Sequence, residues 1–151
     1  EPKKLKYKSL GYLDTMYTGD PLKLFYMAKL MAVSGASYYR MGGETATPLD
    51  QFYEDIGNDL EGNTSHRTSK EAVEVFLKYY NMKQDELWVR TVVKDAMELR
   101  LIDIKNGQLF YLKTNSPLGK NVEDVVMNLR NPIHDAEWNN IRSEVEKIWR
   151  N

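Results

Sequence analysis

The chain has no cysteine among its 151 residues. That excludes a disulfide framework, a thiolate metal site and a cysteine nucleophile. It also fits an intracellular protein. Long apolar runs are missing too. The most apolar stretch, Leu22 to Val33, is interrupted by Lys23 and Lys29 and falls short of the ~20 residues of a membrane span. Charge of one sign is lacking: the net charge is −1, so the strongly basic signature of many nucleic-acid binders is absent. Histidine is scarce. His66 and His134 stand alone in polar stretches, with no ligand or triad spacing. No signal peptide is visible, although the chain begins at Glu1 without methionine, so a leader or a longer parent is open.

What remains is ordinary globular composition, 42% hydrophobic and 28% charged, enough for one core with a helical appendage. Charge is unevenly placed. Lys3, Lys4, Lys6 and Lys8 read as a basic N-terminal tail. Residues 44–61 carry Glu44, Asp50, Glu54, Asp55, Asp59 and Glu61 and no basic residue. That stretch reads as a solvated acidic helix. Its carboxylates at i,i+4 have no third ligand group beside them, so no metal is expected.

Start and stop signals divide the chain. Asp20-Pro21 opens a buried helix running to about Val33, ended near Gly35. Residues 37–41 fit a small strand. Thr47 to Asp50 fits a capped start for the acidic helix, whose stripe is Leu49, Phe52, Ile56 and Leu60. Thr68 and Glu71 form a capping box for a third helix. A short turn at 81–83 leads to a fourth helix, about Gln84 to Leu99. Its apolar side carries Trp88, Val89, Val92, Val93, Ala96 and Leu99. Leu87, Arg90, Thr91, Lys94 and Glu98 fall on the other side. Residues 101–104 and 108–114 read as strands joined by Asn106-Gly107, the strongest short hairpin signal. Residues 115–120 read as a linker. Two helices follow, about 122–129 and 136–150, the last capped by Asp135 and striped by Trp138, Ile141, Val145 and Ile148.

The fold expected is mainly α with a small β-hairpin: a winged helix-turn-helix over residues 1–114 and a C-terminal helical extension over 115–151. In such a module the second helix of the pair can enter the DNA major groove. The candidate DNA contacts are Gln84, Arg90, Thr91 and Lys94 on that helix, and Lys105 and Asn106 at the hairpin tip. Arg67 and Lys70 could meet phosphate at the third helix, with Lys3 and Lys4 in the tail. The competing reading is a protein-interaction module. Residues 69–113 hold eight basic and seven acidic residues, and Glu98 would repel phosphate. Gly42-Gly43 is too short for a phosphate cradle, and nothing advertises an enzyme or a cofactor. Asn63-Thr64-Ser65 is a chance sequon. The three tryptophans read as packing residues.

Gly19-Asp20 followed by Leu24-Phe25-Tyr26-Met27 and Lys29-Leu30-Met31 resembles the first helix of phage replisome-organiser proteins. Leu101-Ile102-Asp103-Ile104, Asn106-Gly107 and Leu109-Phe110-Tyr111 are similar to their closing hairpin. The likeness spans residues 7–113, although the acidic helix and the 61–67 loop intervene here. It implies a winged-helix initiator of phage or plasmid type, binding origin double-stranded DNA and recruiting a helicase or its loader in the bacterial cytoplasm. Transcriptional control is the neighbouring possibility. A homodimer would supply by effective concentration what one weakly charged module lacks.

Overall fold

A computed structural model describes residues 2–31 and 38–151. The expected helix end near Val33 and Gly35, and Ser37, lie outside the described residues. The first element corrects the sequence reading. The lysine-rich start is not a tail but the opening of an 18-residue helix, α1 (Pro2–Gly19). Its inward stripe is narrow, with Ser9, Leu13 and Met16 at i, i+4 and i+7. The charged first two turns disguise that stripe. α2 (Pro21–Met31) follows after one residue. The Asp20 carboxylate accepts the Lys23 N–H at 3.2 Å, as the cap signal predicts.

Residues 38–41 form no strand. The Met41 and Gly42 N–H groups donate instead to the Trp149 carbonyl at 2.9 and 3.2 Å. α3 (Leu49–Leu60) starts where expected but without the expected cap. Thr47 Oγ1 accepts the Arg40 N–H at 2.8 Å, and Asp50 accepts the Tyr17 hydroxyl. Both side chains are engaged by tertiary neighbours rather than by the helix end.

The helix pair is as predicted. α4 (Ser69–Tyr80) carries the Thr68–Glu71 capping box, with both reciprocal bonds present. A three-residue turn leads into α5 (Gln84–Glu98). Antiparallel strands β1 (Ile102–Lys105) and β2 (Gln108–Tyr111) pair from Ile102 opposite Tyr111 to Lys105 opposite Gln108. Asn106 (φ 54°) and Gly107 (φ 75°) turn the hairpin. A Cβ at Gly107 would meet nothing within 4 Å. Gly107→Ala therefore isolates backbone strain and is expected to cost about 1 kcal/mol in urea unfolding. No change would mean that the hairpin turn relaxes freely.

The expected linker is a third strand, β3 (Ser116–Gly119), on the far side of β2. Pro117 hid it. Proline is compatible with an edge strand, where one N–H side is unpaired. β2 accordingly stops at Tyr111 rather than Thr114. α6 (Val122–Leu129), a 3₁₀ turn (Pro132–His134) and α7 (Asp135–Trp149) complete the chain. Asp135 is the first residue of α7 rather than its cap; the cap position is His134, whose side chain makes no capping hydrogen bond. The protein is thus mainly α-helical with one small antiparallel sheet after a helix–turn–helix.

One core serves all elements. Leu118, Val125, Leu129, Ile141, Val145 and Trp149 from residues 115–151 join Phe25, Phe52, Phe76 and Val92 in it. The Trp149 ring meets Phe25 edge-on at 5.1 Å between centroids. No described helix is long and apolar enough to cross a membrane.

Candidate interaction surface

Helix α5 is the element a winged-helix DNA reader would present. Here it is central. α2, α6 and α7 all pack against it. Val89, Val92, Val93 and Ala96 are buried, as the apolar stripe required. Leu87 and Thr91, expected on the outer face, are also 0% exposed. The Thr91 hydroxyl donates to the Leu87 carbonyl at 2.7 Å within the helix. Leu99, expected inside, is the exposed C-cap.

The basic charges of this face are paired, either with α6 or within α5 itself. Arg90 donates from Nη1 and Nη2 to the two Glu123 carboxylate oxygens at 2.8 and 2.6 Å, and from Nε to Glu86 at 2.8 Å. This two-pronged bond holds the Glu123 carboxyl below its usual range. Arg130 reaches back to Asp85 at 3.2 Å and Glu86 at 3.5 Å. Trp88 Nε1 donates to Glu146 at 2.7 Å, and its ring meets Trp138 edge-on at 5.2 Å. Lys94 pairs with Glu98 at 3.0 Å. Of the four candidate contacts on α5, Gln84 alone is exposed; Arg90 and Lys94 are half-buried and Thr91 is buried.

The other candidates scatter. Lys105 and Asn106 are exposed at the hairpin tip, with Lys105 Nζ donating to Asn115 at 2.7 Å. Arg67 is not a surface phosphate ligand. Its Nε lies 3.2 Å from buried Asp59 Oδ2, off the line of a hydrogen bond, and its Nη2 donates to the Met31 carbonyl. Lys3 and Lys70 are brought together. They line a cleft of about 430 Å³ between α1 and α4, with Leu5, Lys6, Val73 and Glu74. Lys4 and Lys8 on α1 and Lys78 on α4 are exposed as well.

The acidic helix is likewise not a simple solvated face. Asp59 is fully buried and Asp55 nearly so. Tyr39 and Gln51 donate to Asp55, the latter at 2.9 Å, and Thr64 donates to Asp59 at 3.0 Å. Burial, then the bond to Asp55, pushes the Tyr39 hydroxyl pKa up. The helical wheel carried a signal for this. Phe52, Asp55, Ile56, Asp59 and Leu60 share one face at i, i+3, i+4, i+7 and i+8. Asp50 and Glu54 remain outward, beside Asp14, Tyr17 and Tyr53, and give α1–α3 an acidic surface. Among the described residues no group of three or more carboxylates and histidines converges on a metal position.

Sequence reasoning missed a polar group inside the core. Lys29 Nζ lies 2.8 Å from Asp95 Oδ2, which also accepts Trp149 Nε1 at 2.6 Å. Burial pulls the Lys29 ammonium below its usual value, and Asp95 opposes that pull. Nothing local marks it, because the partners come from α2, α5 and α7.

No protein-family model, curated protein or solved structure matches the chain.

Proposed function

We propose that the protein is a non-enzymatic docking module for another protein, built on a helix–turn–helix and wing. One observation carries this reading: α5, the helix that would enter a DNA groove, is packed by α2, α6 and α7, and Leu87 and Thr91 of its supposed outer face are fully buried. Its arginine is spent on Glu86 and Glu123. The helices packed on α5 are not a removable lid, because Ile141, Val145 and Trp149 of α7 are core residues. A buried helix can hold a fold together but has no surface with which to read base edges. The resemblance to phage replisome organisers carries two roles, origin binding and recruitment of a helicase or loader. The geometry favours recruitment, in a bacterial cell carrying a phage or mobile element.

A second reading is supported by the lysines of α1 and α4. Lys3, Lys4, Lys8, Lys70 and Lys78 are exposed on adjacent helices and could meet duplex phosphates without reading sequence. A gel-shift titration at two salt concentrations separates the readings. For a docking module, duplex affinity at physiological salt stays no tighter than the ~10⁻⁴ M of weak non-specific binding. Arg90→Ala with Lys94→Ala leaves it unchanged. Sub-micromolar binding lost in that double variant would overturn the docking reading and restore α5 as a reader.

A further inference from the structure

The α1–α4 cleft combines two features that a purely structural surface does not need. Its lining includes apolar surface: Leu5 is 44% exposed, and Val73, itself mostly buried, lies beside it. Tyr7, one residue beyond Lys6 on α1, is 63% exposed. Its rim is cationic, with Lys3, Lys6 and Lys70 against the single carboxylate of Glu74. Lys6 is partly offset by Glu61 at 3.1 Å. Among the described residues, no carboxylate lies within ion-pair distance of Lys3 or Lys70. The cleft also lies at the start of α4, and the positive end of that helix dipole adds to the same sign. About 430 Å³ is within the range of binding clefts. It is a trough between two packed helices, the shape into which a third helix lays its apolar face.

We propose that this cleft docks an acidic amphipathic helix of a partner protein, an assignment that rests on the docking-module reading. Apolar side chains of the partner, spaced i, i+3 or i+4 and i+7, would seat on Leu5 and Val73. Flanking Glu or Asp side chains would meet Lys3, Lys6 and Lys70. Charge complementarity selects the acidic sequence and speeds encounter; burial of the apolar stripe supplies the residence time. Phosphates alone would use the rim and leave the apolar lining uncovered. That is why a helix suits the cleft better than a duplex.

The test uses the whole chain and a fluorescent synthetic peptide of about 16 residues, with leucine at i, i+3, i+7 and i+10 and glutamate around them. Anisotropy is expected to give a Kd on the order of micromolar, as for short helical ligands. A scrambled peptide of equal composition is expected to bind about tenfold more weakly, and Lys3→Glu with Lys70→Glu to cost at least about tenfold. Leu5→Ser is expected to weaken binding by a similar factor without changing the circular dichroism, because Leu5 is already half exposed. Equal binding of the scrambled peptide, or indifference to the lysine reversal, overturns the proposal. A short duplex DNA that binds more tightly than the peptide and displaces it assigns the cleft to nucleic acid and overturns both this proposal and the docking reading. If neither peptide nor duplex binds, the cleft proposal alone fails.

Discussion

Replacing Lys29 with alanine is expected to lower the unfolding free energy by about 3–5 kcal/mol, the cost of orphaning one member of a buried ion pair. Lys29 is 0% exposed, and its ammonium is 2.8 Å from Asp95 Oδ2. Among the described residues Asp95 Oδ1 has no hydrogen-bond partner, so Lys29 and the Trp149 N–H supply the compensation of this buried carboxylate. Lys29→Met keeps the volume and still leaves that carboxylate uncompensated, so it is expected to cost nearly as much. Lys29→Met with Asp95→Leu removes both charges and is expected to recover most of the loss. What stays lost is the Trp149 N–H acceptor, worth about 1–3 kcal/mol. Urea unfolding followed by tryptophan fluorescence measures all three. A Lys29→Ala cost below about 1 kcal/mol would show the pair to be no more than an exposed salt bridge in energy.

The second large effect belongs to Trp149. Trp149→Ala is expected to destabilise by about 3–5 kcal/mol, the usual range for removing a large buried aromatic side chain. The ring is buried against Phe25 and Tyr26. Its loss opens a cavity between α2, α5 and α7 and removes one donor from Asp95. Trp149→Phe retains most of the ring and isolates the hydrogen bond, at about 1–3 kcal/mol. Because whole domains are stable by only about 5–15 kcal/mol, Trp149→Ala brings a protein of this size near the edge of folding. Thermal melts of Trp149→Ala and of the half-buried Trp138→Ala provide the comparison. An equal drop for both would contradict the central place of Trp149.

The two sensitive positions differ in how they read from the sequence. Lys29 reads as an ordinary helix lysine, whereas Trp149 reads as a packing residue, at i+4 from Val145, with nothing to mark its bond to Asp95. Elements governed by neighbours along the chain were legible. Asp20-Pro21 started α2, the Thr68–Glu71 box started α4, and Asn106-Gly107 closed the hairpin. The stripe of Phe52, Ile56 and Leu60 gave α3 its inner face. Each rests on interactions within a turn or two, where backbone geometry and side-chain type leave few alternatives.

The candidate site was less legible, for a physical reason. Amphipathic periodicity says which side of a helix is more apolar, not whether its polar side faces water or another helix. Leu87 on the supposed outer face of α5 was the one local hint that something covers it. The unpartnered stripe of α7 was the hint that another helix joins the core. Joining the two requires knowing where α7 packs.

The sequence by itself therefore determined the helix pair, the wing that follows it, and the absence of any thiol chemistry. These follow from residue types and short-range spacing. Only the tertiary structure decided which charges are free. Arg90 is bound to Glu123 across 33 positions of chain, while Lys3 and Lys70 are gathered at one cleft. A charge becomes a binding group only when no nearer opposite charge satisfies it. That depends on packing partners far away in sequence, so the order of elements survived as fold while the proposed site moved from α5 to α1 and α4.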